Sequence, residues 1–410
     1  MPHWPKPVGL LQNETSLQRM QAILEKLGNP HLKLPKVIHV AGTNGKGSTV
    51  AFLKAVLEAN GNKVHAYTTP HLIEFNERIV LAGEKISDDF LFEIMEEVRL
   101  KSEGIRLGFY EATTAGAFLA FSKVPADYLV METGLGGRLD ATNIVPNPII
   151  TILTTIDLDH IEFLGKTLQD IAFQKLHIVK EGSICISSLQ YDEVNDVIEN
   201  WCSSKNISHH AFNADFGIEK IESGFVYFSQ GLDLAFPKPA LAGDHQYINA
   251  SSAVAAVLQL GVPHEKISKG IAEAEWPSRL EQIKRSYVPE NWELWIDGAH
   301  NPSGAFALAN FVEDNWGDKP TYLIFSTTKG RDVKSFLAKF VGKVSHLCLV
   351  KINFEPASYS GTEMLPEAQA LGFETTCHDS LKEAIKFLHE SKKEPARVLI
   401  CGSLFFRGDL

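Results

Sequence analysis

Cysteine is scarce in this 410-residue chain: five residues, at 185, 202, 348, 377 and 401, none in a C-x-x-C pair. Three of them, Cys185, Cys348 and Cys401, fall in apolar runs, so buried free thiols in a reducing cytoplasm are expected. No run of 18 apolar residues occurs, and Met1–Leu11 lacks a charged start followed by an apolar core. Neither a transmembrane helix nor a secretion signal is expected, and the chain reads as cytoplasmic with no membrane partner. Positive charge is in deficit: 39 Lys and Arg against 50 Asp and Glu leave −11. That argues against nucleic acid as the main partner and leaves room for a local basic pocket. No internal repeat, no low-complexity tract and no G-x-G-x-x-G in the last third is found. What is present is ordinary for a globular enzyme, 44% hydrophobic and 22% charged, and too long for one core.

One stretch organises the rest. The apolar run Lys36–Ala41 leads into Gly42-Thr43-Asn44-Gly45-Lys46-Gly47-Ser48-Thr49. Val50, Leu53 and Leu57 then mark a helix stopped by Gly61. A strand, a glycine loop and a helix start make an anion cradle, because backbone N–H groups and the helix terminus turn toward a phosphate. Lys46 can neutralise β/γ-phosphates, and Ser48 or Thr49 can offer a hydroxyl to Mg²⁺. The strict P-loop spacing is not met, since Val40 stands where the first glycine belongs and Gly47 follows the lysine.

Along the chain, residues 1–14 read as an irregular arm. Leu17, Met20, Ile23, Leu24 and Leu27 mark a helix face closed by Gly28. Strands are expected over Lys63–Tyr67, Asp127–Glu132, Pro148–Ile156 and Ser183–Ser187. Helices are expected around Phe90–Val98, over Thr113–Phe121 and over Leu168–Lys180. This alternation gives an α/β fold: a P-loop-type, mostly parallel sheet with helices on both faces. Residues 215–236 suggest a small β-meander, and an Ala-rich helix follows Gly243-Asp244-His245-Gln246. Trp276–Arg279 reads as a linker. A second β–α series, with strands at Glu293–Asp297, Thr321–Ser326, His346–Lys351 and Arg397–Gly402, suggests a smaller Rossmann-like C-terminal α/β domain. The expected domains are 1–276 and 277–410.

In open α/β sheets, ligands bind at the carboxyl ends of strands. Four polar features fall there: the glycine loop, Thr68-Thr69, Glu132 and Asp159-His160. A carboxylate, hydroxyls and an imidazole around a triphosphate make a divalent-metal site, although His is an unusual Mg²⁺ ligand. A second glycine-rich loop, Glu132–Asn143, carries Arg138, Asp140 and Asn143 and suggests a cover over a polar ligand. Asp297-Gly298-Ala299-His300-Asn301-Pro302 opens a helix. Capping explains its Asn and Pro but not its Asp and His.

Taken together, these stretches resemble the folylpolyglutamate synthase / dihydrofolate synthase family, within the Mur ligase superfamily. The resemblance rests on His39–Thr49, Tyr67–Leu72 with Phe75-Asn76-Glu77-Arg78, Glu132–Asn143, Leu158-Asp159-His160 with Leu164-Gly165, Gly243–Asn249, Trp276–Leu280 and Asp297–Pro302, in family order. It implies an ATP-dependent ligase joining L-glutamate to dihydropteroate and to reduced folates through an acyl phosphate.

Carried over by position, Gly45, Lys46, Gly47 and Ser48 would hold the triphosphate. Ser48 and Glu132 would ligate one Mg²⁺, Thr69 and His160 a second. Asn249, Arg279, Asp297 and His300 would contact ATP, with Lys46, Lys175 and His300 in catalytic roles. Lys175 stands where the family carries an N6-carboxylysine. Free lysine is neutral only about once in a few thousand molecules at pH 7, and burial raises the fraction open to CO₂. The pterin side would meet Leu17, Gln18, Tyr110, Glu111, Leu139, Asp140 and Ala141. The family also implies a monomer, and a monovalent cation near the second domain is compatible with it.

Three positions depart from the family pattern. Lys175 is followed by Leu176-His177 rather than Ala-Gly. Thr69 replaces a common serine, which keeps the hydroxyl and narrows its rotamers. Ser16-Leu17-Gln18-Arg19 replaces Gly-Leu-Glu-Arg, removing a charge. Two alternatives stand beside the folate reading: a Mur-type ligase for another amino acid, and an inactive nucleotide-binding protein.

Overall fold

Why the glycine loop, Glu132 and Asp159 come together follows from strand order. The computed structural model describes residues 15–392 and 394–410. The arm expected over 1–14 and the leader reading of Met1–Leu11 lie outside them. By its packing the chain forms two units, one running up to Ala240 and resuming over Gln246–Glu275, the other comprising Leu241–His245 and Trp276–Leu410.

The first unit is built on strands β1 (Lys36–Ala41), β2 (Val64–Tyr67), β3 (Ile79–Leu81), β4 (Glu84–Lys85), β5 (Tyr128–Glu132), β6 (Ile150–Leu153), β7 (Ile184–Ser187) and β8 (Ser208–Ala211). They form one sheet, ordered β4-β3-β2-β5-β1-β6-β7-β8. All neighbours are parallel except at the β2–β3 and β3–β4 edge. β1 is buried from Val37 to Ala41, as a central parallel strand covered on both faces must be. Val40 pairs with Glu132, and Ala41 with Leu153. The loops after β5, β1 and β6 therefore emerge side by side.

Helices α1 (Thr15–Lys26), α2 (Lys46–Ala59), α3 (Asp88–Lys101), α4 (Phe109–Lys123), α5 (Ile161–Leu164), α6 (Leu168–Leu176), α7 (Asp192–Ser204), α8 (Asp244–Gln259) and α9 (His264–Glu273) follow in chain order. One core gathers Met20, Ile23, Ile94, Phe118 and Met131; another gathers Ile171, Leu176, Ile198 and Cys202. The meander is β9 (Phe216–Ile221), β10 (Gly224–Ser229) and β11 (Leu232–Pro237), antiparallel throughout.

In the second unit β12 (Glu281–Ile283), β13 (Glu293–Ile296), β14 (Thr321–Phe325), β15 (His346–Val350), β16 (Thr375–His378) and β17 (Arg397–Cys401) are ordered β12-β13-β17-β14-β15-β16, with β12 alone antiparallel. Helices α10 (Pro302–Asn315), α11 (Val333–Leu337), α12 (Gly361–Ala370) and α13 (Leu381–Ser391) complete it. Asn301 caps α10 by accepting from the Gly304 N–H, with Pro302 in the first turn.

Several expected boundaries move. α4 begins at Phe109 rather than Thr113, because Glu111 accepts from the Gly108 N–H and closes a capping arrangement upstream of the small residues. α6 ends at Leu176, short of Lys180, and β6 is shorter than 148–156. α8 starts at Asp244, so Asp244-His245-Gln246 is its first turn rather than its approach. β12 and β16 carry no apolar signal in sequence, being short and only partly buried. Four cysteines are buried, and Cys377 is only half-buried; all five are free thiols. Among the described residues no helix is long and apolar enough to cross a membrane.

Candidate active site

The glycine loop is fixed by contacts that only glycine permits. Gly45 has φ +87°, and a Cβ there would lie 2.3 Å from Asn249 Oδ1. A Cβ on Gly42 would lie 1.8 Å from Thr154 Oγ1. The loop is pinned to the segment after β6. The N–H groups of Thr43 and Asn44 donate to Thr155 O at 2.9 and 3.2 Å. Thr43 Oγ1 donates to Asp157 O and accepts from the Asp157 N–H. Ser48 is buried at the start of α2. Lys46 Nζ donates to Gly42 O and Thr43 O, both at 3.1 Å.

Lys175 is not the surface helix lysine that its neighbours would allow. It is 4% exposed, and its Nζ donates to the same Gly42 carbonyl at 2.7 Å. Burial first, then the Lys46 charge, lowers its pKa to about 7; Asp159 and Asp140 act in the opposite direction. The second glycine loop lies across the helix end that carries it. A Cβ on Gly137 would sit 2.8 Å from the carbonyls of Gln174 and Lys175, and the Arg138 N–H donates to Gln174 O at 2.7 Å. The family departures have local reasons: Leu176 fills the core of this side, and His177 caps α6 and packs edge-on to Phe173.

Glu132 ends β5 and is buried; its Oε2 accepts from the Thr69 N–H at 3.2 Å. Thr69 Oγ1 accepts from Arg78 Nη1 at 2.8 Å. His160 sits in the left-handed region at φ 50°, opening α5, with its Nε2 3.9 Å from Asp159 Oδ1. Among the described residues no three His, Cys, Asp or Glu side chains are placed to hold a metal ion together. One carboxylate, two hydroxyls and one imidazole still fit a hard divalent cation that takes its other ligands from phosphate oxygens and water. The fit is better at Ser48 and Glu132 than at Thr69, whose hydroxyl already accepts from a guanidinium.

Two expected acceptor residues are engaged within the protein. Glu111 accepts from Ser16 Oγ (2.6 Å), from Arg19 in a bidentate pair (3.0 and 2.6 Å) and from the Gly108 N–H (2.9 Å). It ties α1 to α4. Asp140, fully buried, accepts from the N–H groups of Gly134, Leu135 and Thr142 and from Thr142 Oγ1. It thereby organises its own loop as well as lying on it. Burial raises its pKa, and these donors oppose the rise. Because Thr142 donates to Asp140, it accepts from His39 Nε2 at 2.9 Å, which fixes that imidazole as the Nε2–H tautomer. Burial, with Lys180 adding to it, drives the His39 pKa down to about 3, so the ring is neutral. Tyr110 Oη stands 3.5 Å from Asp140 Oδ1, Leu17 and Leu139 are half-buried, Ala141 is buried and Gln18 is exposed.

In the second unit, Asp297 accepts from the N–H groups of Leu280 (2.8 Å) and Ala299 (2.7 Å) at the end of β13. A Cβ on Gly298 would meet Arg279 Nη1 at 2.4 Å. His300 Nδ1 lies 2.9 Å from Gly298 O and so is its donor. Arg279, Asp297 and His300 thus gather in one loop cluster, joined by His245. Burial lowers the His245 pKa, and it feels the charges of Asp297 and Arg279. Thr43, His39 and His245 lie in motif stretches and Asp157 in none, but the sequence assigns none of the four its role here, because each acts through a partner distant along the chain.

Residues 40–257 match the Mur ligase middle domain, and residues 279–410 match the dihydrofolate synthetase C-terminal domain. The chain is similar to the dihydrofolate synthase/folylpolyglutamate synthase of Bacillus subtilis (strain 168): 31% identity over 412 residues, covering 96% of this chain and 94% of that one. Among solved structures it resembles E. coli FolC in complex with DHPP and ADP, with TM-score 0.86, 28% identity, and coverage of 96% and 91%. It also resembles the bifunctional folylpolyglutamate synthase/dihydrofolate synthase of Yersinia pestis complexed with AMPPNP and Mn ion, with TM-score 0.87, 25% identity, and coverage of 98% and 94%.

Proposed function

The chain belongs to the folylpolyglutamate synthase / dihydrofolate synthase family of Mur ligases, and on that premise we propose that it joins L-glutamate to dihydropteroate and to reduced folates using ATP. The observation that carries this reading is the pair of lysines on one carbonyl: Lys46 and Lys175 both donate to Gly42 O. Two ammonium groups brought together in a buried loop repel each other. A polyanionic ligand relieves that repulsion. So does conversion of Lys175 to N6-carboxylysine, for which its lowered pKa supplies the neutral amine.

Gly45, Lys46, Gly47 and Ser48 hold the triphosphate, with Lys46 neutralising charge on the transferred group. Ser48, Glu132, Thr69 and His160 are the residues that would hold Mg²⁺, probed by analogy with the Mn ion of the Yersinia enzyme. When bound, the ion supplies further charge neutralisation at the phosphates. The acceptor carboxylate attacks the γ-phosphorus and ADP leaves. The glutamate amine then attacks the acyl carbon, and phosphate departs from the tetrahedral intermediate. Catalysis rests on positioning and charge neutralisation. Asn249, Arg279, Asp297 and His300 are assigned to ATP, with Arg279 and His300 near the phosphates. Leu17, Gln18, Tyr110, Glu111, Leu139, Asp140 and Ala141 are assigned to the pterin side, where Glu111 and Asp140 also hold the shape of the pocket. We assign the cytoplasm as the site of action and a monomer as the working state.

Phosphate release from MgATP with L-glutamate tests this, in parallel with dihydropteroate and with a reduced folate. Release dependent on either acceptor supports the reading; ATP binding without acceptor-dependent release defeats it. Lys46→Ala is expected to abolish turnover while the melting temperature stays near wild type.

A further inference from the structure

The segment after β2 ends in Phe75-Asn76-Glu77-Arg78, and most of its polar groups have local work. Glu77 accepts from the N–H groups of Leu72, Ile73 and Glu74 at 2.6–3.1 Å. Asn76 Nδ2 donates to Ile86 O and Asp88 Oδ1, both at 2.9 Å. Arg78 is different. It is 6% exposed, and its two hydrogen bonds go to neutral acceptors: Nε to His71 Nδ1 and Nη1 to Thr69 Oγ1, both at 2.8 Å. The Phe75 and Phe109 rings lie 5.7 and 5.5 Å from its guanidinium carbon. Among the described residues Arg78 forms no ion pair with a carboxylate, and its Nη2 makes no hydrogen bond.

A guanidinium taken out of water calls for an anion, and its planar fork suits a carboxylate. Neutral acceptors, ring faces and the Glu132 and Glu77 carboxylates, neither of them in direct contact with it, offset only part of the cost of burying that charge. Its place narrows the choice of anion. On one side stands Thr69, whose N–H meets Glu132; on the other is the first turn of α4, with Phe109 and Tyr110. The first group belongs to the proposed phosphate side and the second to the proposed acceptor side. We propose that Arg78 is the receptor for the acceptor's reactive carboxylate, holding it by charge-assisted hydrogen bonds where the γ-phosphoryl group is transferred. This rests on the ligase reading above and adds a specificity residue to it. Asn76 and Glu77 shape the turn; Arg78 meets the substrate.

The test compares equilibrium binding of dihydropteroate and of its carboxamide analogue to the full chain loaded with a non-hydrolysable ATP analogue. Wild type is expected to prefer the carboxylate by roughly tenfold or more, the scale of a charge-assisted contact. Arg78→Gln is expected to bring that ratio to about one while nucleotide affinity is unchanged. A ratio that survives in R78Q, or an equal loss for both compounds, overturns the proposal and leaves Arg78 as a structural pin. If R78Q does not fold, R78K decides. Charge without the fork lowers the preference but keeps it above one, and an unchanged preference overturns the receptor role. Wild type that binds neither compound defeats the ligase reading instead.

Discussion

Lys175 is where one residue's environment sets its chemistry. Unfolded, its amine titrates near the ordinary 10.5; folded, near 7. Between those values the unfolded chain holds one more proton, so stability rises with pH across the window, by at most about 1.4 kcal/mol per unit. Below pH 7 the penalty of the buried ammonium is present in full. Urea unfolding in CO₂-free buffer at about pH 7 and about pH 9 is expected to show this slope in wild type and not in Lys175→Met. An equal slope in both would remove Lys175 as its source. Asp140 makes the complementary case. Asp140→Ala leaves three N–H groups of its loop without their acceptor, at about 1–3 kcal/mol for each one that stays buried. The variant is expected to lower the melting temperature and to raise KM for the acceptor more than KM for ATP. The Lys-Leu-His sequence shows neither the burial of Lys175 nor its contact with Gly42. Both depend on a glycine loop that lies more than a hundred residues earlier in the chain.

At the scale of elements, helix starts were legible where capping chemistry is local. Asn301-Pro302 announces α10, and the structure has the expected Asn301–Gly304 hydrogen bond. Asn301→Ala is expected to cost about 1 kcal/mol in denaturant unfolding. The start of α4 was not legible, because the small-residue stripe masks the Gly108–Glu111 cap. Helix contacts were also silent. Gly270 on α9 sits against the α2 backbone, and a Cβ there would fall 2.4 Å from Val56 Cα. Gly270→Ala is expected to destabilise by about 1–3 kcal/mol, because α2 must shift to admit the methyl group. A melting temperature equal to wild type would show that the two helices separate freely.

For the whole molecule, two units with separate cores make all-or-none unfolding the wrong default. Calorimetry is expected to resolve two transitions. ATP analogue with Mg²⁺ should raise the one belonging to the glycine-loop unit, by an amount that grows with ligand concentration. A single transition would mean that the units unfold together. Leu241–His245 adds a topological point: it belongs to the second unit yet interrupts the first in sequence. A fragment starting at 277 therefore lacks part of its own unit.

The sequence by itself determined the fold class, the family, the glycine loop and the order of the motifs. Those features are written in short-range periodicity and in local backbone requirements. Strand order decided what those motifs face: because β1 lies between β5 and β6, Thr43 meets Asp157 and Glu132 stands beside the glycine loop. Tertiary structure alone showed that Glu111, Asp140 and His39 are held by partners within the protein. A side chain's partners, and whether its charge is compensated, depend on groups distant in sequence that only folding brings within hydrogen-bond reach.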